Sequence, residues 1–219
     1  MTVKVKICGV RTPAILDAAA SAGADLVGLV FFAKSPRNLR LAEAAPLAEA
    51  ARGRIGTVAV MVDPDDVLLD VIIEKVRPDF LQLHGNERPE RVAEIKARTG
   101  LPVIKAIAVA SPNDVSDARA YADVADHILF DAKAAPGTVL PGGNGVPFDW
   151  SSLAKAPAPF ALSGGLNPGN VAEAIRLTGA TLVDVSSGVE TAPGVKDAEL
   201  VTKFIQAARS AAQQQAKAS

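Results

Sequence analysis

Eight short runs rich in Val, Ile and Leu, each followed by a helical stretch, together with glycine-bearing loops after the last two, predict a single-domain (β/α)8 barrel of the TIM type. Strands of that composition are buried on both faces and suit a parallel sheet, and the intervening amphipathic helices supply the right-handed crossovers that such a sheet needs. The competing fold is an open doubly wound sheet. In its dinucleotide-binding form it would carry a Gly-rich fingerprint after the first strand, where this chain has only "CGVRT".

The first unit begins with "VKVKICGV", in which Val3, Val5 and Ile7 alternate with Lys4 and Lys6 and the strand stops at Cys8. Its helix is "TPAILDAAASAG": Thr12 can cap, Pro13 fits the first turn, and Gly23 ends it. The pattern recurs as "ADLVGLVFF" before "RLAEAAPLAEAARG", "RIGTVAVMV" before "DPDDVLLDVIIEKV", and "DFLQLHG" before "RPERVAEIKARTG". "LPVIKAI" then precedes "SPNDVSDARAYA", and "DHILFDA" precedes a long Gly/Pro-rich loop and a short segment around "DWSSLAKA". The last two units are "PFALSGG" before "NPGNVAEAIRLTG" and "TLVDVSSG" before "DAELVTKFIQAARSAA". Residues 1–211 are expected to form the barrel and 212–219 a polar tail that frays from the last helix.

Composition excludes several classes of function. The chain has 219 residues, 49% of them hydrophobic, enough for one sizeable core. A net charge of -1, with no basic block, speaks against nucleic acid as a partner. Charged or turn residues interrupt every apolar run before a membrane span is reached, and the N-terminus lacks the apolar core of a signal peptide, so a soluble cytoplasmic protein is expected. One cysteine cannot form an internal disulfide, and two histidines offer no Cys/His cluster for a metal. Neither structural zinc nor a disulfide scaffold is expected.

In barrels of this kind the active site lies at the carboxyl ends of the strands and in the loops that follow them. Those positions hold Cys8, Lys34, Arg37, Asp63, His84 after Gln82, Asp131, Lys133, Asp184 and Ser187. The loops "SGGLNPGNV" and "SSGVE" place Gly164, Gly165 and Gly188 where the fold usually grips a phosphate, and glycine lets backbone N–H groups approach an anion closely. Either loop alone reads equally well as a plain turn; the two together favour a small phosphorylated ligand. Arg37 suits a bidentate hold on a carboxylate or is a solvated surface residue. His84 is read first as a structural hydrogen-bonding residue at the barrel mouth, Asp63 as the cap of the third helix, and His127 as peripheral. A lone cysteine is most often a small buried hydrophobe. Cys8 has a candidate partner, however, because Asp131 ends the sixth strand and faces it across part of the mouth. An acid and a base on opposite sides of one small substrate suit proton relocation, such as the isomerisation of an aldose to a ketose.

The segments "KICGVR", "FFAKSPRN", "VMVDP", "LQLHGNE", "LFDAK", "FDW", "LSGGLNPGNV" and "DVSSGVE", in this order and spacing, resemble the phosphoribosylanthranilate isomerase family of tryptophan biosynthesis. The resemblance implies an Amadori rearrangement of N-(5-phosphoribosyl)anthranilate to 1-(2-carboxyphenylamino)-1-deoxyribulose 5-phosphate without a cofactor. It implies Cys8 as base, Asp131 as acid and Arg37 as the hold on the anthranilate carboxylate. It places the phosphate at Gly164, Gly165, Ser187 and Gly188, with His84 and Asp184 in supporting roles. The sixth loop departs from the family's pattern at Asn144, where a hydroxyl is more usual, in a segment expected to close over the site. Rival readings are the phosphate-gripping lyases of the same pathway, which would rely on lysine or carboxylate groups instead of Cys8, and a sugar isomerase with Asp in its place. A binding protein that kept the phosphate grip without the reaction is the rival of a different class. The oligomeric state is expected to be monomer or homodimer.

Overall fold

The computed structural model describes residues 3–133, 149–156 and 159–218. Eight parallel strands close into a ring in chain order: β1 (Lys4–Cys8), β2 (Leu26–Phe31), β3 (Gly56–Met61), β4 (Phe80–Leu83), β5 (Val103–Val109), β6 (His127–Ala132), β7 (Ala161–Leu162) and β8 (Leu182–Val185). The helices between them are α1 (Pro13–Ser21), α2 (Leu41–Ala51), α3 (Asp66–Lys75), α4 (Pro89–Thr99), α5 (Pro112–Asp117), α6 (Val171–Thr178) and α7 (Ala198–Ala218). The predicted barrel is therefore present. The sixth crossover ends in a 3-10 turn, Trp150–Lys155, where Asp149 accepts from the Ser151 amide. Helix α7 continues through the polar stretch after residue 211 as far as Ala218.

Local signals account for the helix ends. Thr12 Oγ1 accepts from Ile15 N at the start of α1 with Pro13 in the first turn, and Gly100 and Gly179 close α4 and α6 in the left-handed conformation that glycine tolerates best. The cap of α3 is Asp65, which accepts from Leu68 N; the expectation for Asp63 is corrected. Asp63 has a φ of 45° and accepts from the Asn86 amide instead, so it ties the third loop to the fourth.

Two apolar layers follow from the strand alternation. Val5 and Ile7 belong to the larger one, between barrel and helices, whereas Cys8 joins Val58, Val60, Ile104, Ala106, Leu129 and Ala161 inside the barrel. A closed sheet has no solvated face, so Lys6 and Cys8 point into the barrel interior, whereas Lys4 is exposed at the start of β1. Lys6 is consequently buried completely, and Cys8 stands above it at the mouth.

A feature absent from the sequence reading is a small antiparallel hairpin, β9 (Glu190–Ala192) and β10 (Val195–Lys196), inserted between β8 and α7. Its turn rests on the loop after β2: a Cβ on Gly194 would come within 2.6 Å of Pro36 O.

Candidate active site

The cleft at the carboxyl end of the barrel encloses about 700 Å³, counted to its open mouth, and is lined by Cys8, Arg37, His84, Asp131, Asp184 and Ser187, with Ser163–Leu166 on one side. Val30, Phe32, Val60 and Val62 form an apolar wall beside Arg37. The structure thus brings together most of the residues singled out from the sequence. Gly164 and Gly165 line the cleft with φ values of 85° and 66°, and their amides make no hydrogen bond among the described residues. Gly188 is instead pressed against the seventh loop: a Cβ there would lie 1.9 Å from Leu166 O, so only glycine lets the seventh and eighth loops meet. Lys133 pairs with Asp114 at 3.3 Å away from this lining, and His127 is exposed at the start of β6. The expectation for Asn144 lies outside the described residues.

Asp131 is held at both carboxyl oxygens. Ala132 N donates to Oδ1 at 2.9 Å, and His84 Nε2 lies 3.0 Å from Oδ2. Gln82, fully buried on β4, sets the imidazole: its Nε2 lies 2.8 Å from His84 Nδ1. With the amide placed so, the ring proton sits on Nε2 and points at Asp131. Gln82 Oε1 is then buried without a partner. Reversing the amide would put the ring proton on Nδ1 and leave Nε2 as an acceptor toward Asp131.

Around Cys8 the surroundings are charged. Lys6 Nζ is 3.0 Å from Asp184 Oδ2, and Asp184 Oδ1 is buried without a hydrogen-bond partner among the described residues. Burial pushes the thiol of Cys8 up; Lys6 and Lys196 pull it the other way, Asp184 adds to the rise, and the net shift is upward. Ser186 Oγ donates to Cys8 O at 3.1 Å, which ties β1 to the eighth loop.

Arg37 enters over Gly9, whose φ of 79° and missing side chain make room for it: a Cβ there would lie 2.6 Å from Arg37 Cδ. Its guanidinium makes two bonds of 2.8 Å to Glu190, from Nε to Oε1 and from Nη2 to Oε2. Lys196 Nζ also reaches Glu190 Oε1, at 3.0 Å, and donates to Ser186 O at 3.1 Å. Burial alone would push the Glu190 carboxyl up, but Arg37 and Lys196 outweigh it and hold it below the usual range. The sequence reading missed Lys6, Glu190 and Lys196. Lys6 carries a signal in hindsight, since alternating polar positions on a barrel strand must face inward. The hairpin pair carries none, because its role depends on how the eighth loop folds back on the second.

A second buried pair stiffens the other half of the mouth. Lys105 Nζ is 2.7 Å from Glu87 Oε2, and Glu87 also accepts from the amides of Asp63 and Gly85. Among the described residues no cluster of three or more His, Cys, Asp or Glu side chains is placed to hold a metal ion. No helix among them is long and apolar enough to cross a membrane.

Residues 5–207 match the family model described as N-(5'-phosphoribosyl)anthranilate isomerase. The chain belongs to the phosphoribosylanthranilate isomerase family. A relative of that name from Rhodopseudomonas palustris (strain BisA53) is 57% identical over 211 residues, covering 95% of this chain and 97% of the relative. The crystal structure of phosphoribosylanthranilate isomerase from Thermotoga maritima superposes with a TM-score of 0.85 at 35% identity, over 95% of this chain and 99% of that one. A further phosphoribosylanthranilate isomerase, solved with reduced 1-(o-carboxyphenylamino)-1-deoxyribulose 5-phosphate, gives a TM-score of 0.81 at 32% identity, over 95% and 99% of the two chains. The isomerase reading of the sequence and the barrel fold stand together in these likenesses.

Proposed function

We propose that this chain carries out its family's step in tryptophan biosynthesis, the isomerisation of N-(5-phosphoribosyl)anthranilate, with Cys8 as general base and Asp131 as general acid. The observation that carries the assignment is that a thiol and a carboxylic acid group, on β1 and β6, line one cleft between an arginine-flanked apolar wall and two abutting glycine loops.

Each part of the substrate has a chemical counterpart. The amides of Gly164 and Gly165 donate to the phosphate, with Ser187 beside them and Gly188 keeping the two loops in contact. The aromatic ring lies on the wall of Val30, Phe32, Val60 and Val62, and its carboxylate is steered by Arg37, whose orientation is fixed by Glu190. Anchoring both ends places the ribose between acid and base.

Asp131 gives its proton to the ribose ring oxygen. The C1–O bond breaks as the anthranilate nitrogen lone pair forms the C1–N double bond, which makes an iminium ion. The Cys8 thiolate then takes the proton from C2, and the electrons of that C–H bond form a C1–C2 double bond and neutralise the nitrogen. The resulting enolamine tautomerises to the ketone by gaining a proton at C1 and losing the hydroxyl proton at C2. His84 and the Ala132 amide hold the Asp131 carboxyl group in place, and Asp184 supports the base side. The electron sink is the substrate's own nitrogen, so these steps require no cofactor. All the groups come from one chain, which makes a monomer or a homodimer equally competent. Residues 1–211 are the catalytic unit, and α7 extends beyond it as far as Ala218.

Purified protein mixed with freshly made phosphoribosylanthranilate should abolish the substrate's fluorescence at an enzymatic rate. Asp131→Asn should slow that loss by about two or more orders of magnitude, the usual contribution of a positioned acid. Binding of a product analogue without turnover by the unmodified chain would favour the binding-protein reading.

A further inference from the structure

We propose that Lys6, held by Asp184, is a positioning residue that makes the Cys8 sulfur usable as a base by presenting its ammonium group to the sulfur from inside the barrel. The inference rests on the reading of Cys8 as that base.

A lysine with 0% exposure is exceptional and calls for a reason, because a buried ammonium loses its hydration. The contact with Asp184 offers a structural one, yet the pair is incomplete as a mere staple, since Asp184 Oδ1 is buried without a partner among the described residues. The geometry points beyond structure. Lys6 and Cys8 are two residues apart on one strand and so share its inward face. Cys8 pairs in register with Gly28 of β2, and one point beside Gly28, where a Cβ would sit, is 2.9 Å from Cys8 Sγ and 3.2 Å from Lys6 Nζ. The two side chains reach into the space that this glycine leaves open.

The charges facing Cys8 support the same role. Lys6 comes from its own strand, Asp184 from β8 and Lys196 from the hairpin, where it is paired with Glu190, which also holds Arg37 of the loop after β2; His84 and Asp131 line the same cleft. Among these groups Lys6 exerts the largest pull against the burial of the thiol, and Asp184 works in the opposite sense.

Opposite shifts from the two partners are therefore the signature, and Cys8 being the only cysteine in the chain makes it readable without activity. The test follows the pH dependence of Cys8 alkylation by iodoacetamide, alongside the pH profile of kcat/KM, in folded protein. Lys6→Met should move the alkylation midpoint to higher pH by about one unit or more. At neutral pH kcat should fall about tenfold with KM little changed, recovering as pH rises. Asp184→Asn should move the alkylation midpoint to lower pH, and Lys6→Arg should lie close to the unmodified chain. Should Lys6→Met not fold, Asp184→Asn alone decides, because it neutralises the buried carboxylate and leaves the lysine beside the sulfur. A midpoint unmoved in Lys6→Met, or unmoved or raised in Asp184→Asn, overturns the role of Lys6 and leaves the base assignment standing. Full turnover by Cys8→Ala strikes the base assignment itself.

Discussion

Gly28→Ala adds one methyl group at the point where the base is held. Its carbon would stand 2.9 Å from Cys8 Sγ, 3.1 Å from Cys8 Cα and 3.2 Å from Lys6 Nζ. Non-bonded heavy atoms sit comfortably at roughly 3.5–4.0 Å, so the sulfur must retreat by about 0.6–1 Å, or β1 and β2 must part. Overpacking of this kind costs about 1–3 kcal/mol of stability. A displacement near 1 Å at a reacting group costs up to about 10²-fold in rate. The expected variant folds, melts at a lower temperature and has a kcat about 10–100-fold below the unmodified chain. Its KM changes less than its kcat, because the nearest atoms to the added methyl belong to Cys8 and Lys6 and not to Arg37 or the glycine loops. Steady-state fluorescence assays over a range of substrate concentrations, with a urea melt for stability, measure both terms. An unchanged kcat, or a loss expressed only in KM, would refute the claim that Gly28 fixes the base.

The anchoring groups separate from the proton-transfer groups in the same assay. Arg37→Ala should raise KM and weaken binding of a product analogue, with a smaller effect on kcat; unchanged affinity would mean that the carboxylate is held elsewhere. Lys105→Met leaves the Glu87 carboxylate buried without its cation and should cost about 3 kcal/mol in a denaturant melt, the low end for breaking a buried pair because the amides of Asp63 and Gly85 still hold the carboxylate. The double variant Lys105→Met/Glu87→Gln should recover part of that loss, and an additive double loss would remove the pairing argument.

The order of strands and helices could be read from the chain because both depend on local patterns: Val- and Ile-rich runs, caps such as Thr12, and stops such as Gly100 and Gly179. Cys8, Asp131 and the glycine loops could be read because the barrel puts chemistry at strand ends. What escaped depends on distant parts of the chain meeting. Glu190 and Lys196 become site residues only when β9 and β10 fold over the loop after β2, and no pattern within "ETAPGVK" announces that Arg37 will be its partner. Asp63 looked like a helix cap from its place before Pro64, but Asp65 does that work and frees Asp63 for the fourth loop. Lys6 looked like an ordinary polar strand position, and closure of the sheet turned it into a fully buried cation beneath the thiol.

Turnover of Cys8→Ala measures the central claim most directly, paired with the affinity of the same protein for reduced 1-(o-carboxyphenylamino)-1-deoxyribulose 5-phosphate. The account predicts a folded protein that binds the analogue as the unmodified chain does and turns over at least about two orders of magnitude more slowly. Turnover at the unmodified rate would contradict it.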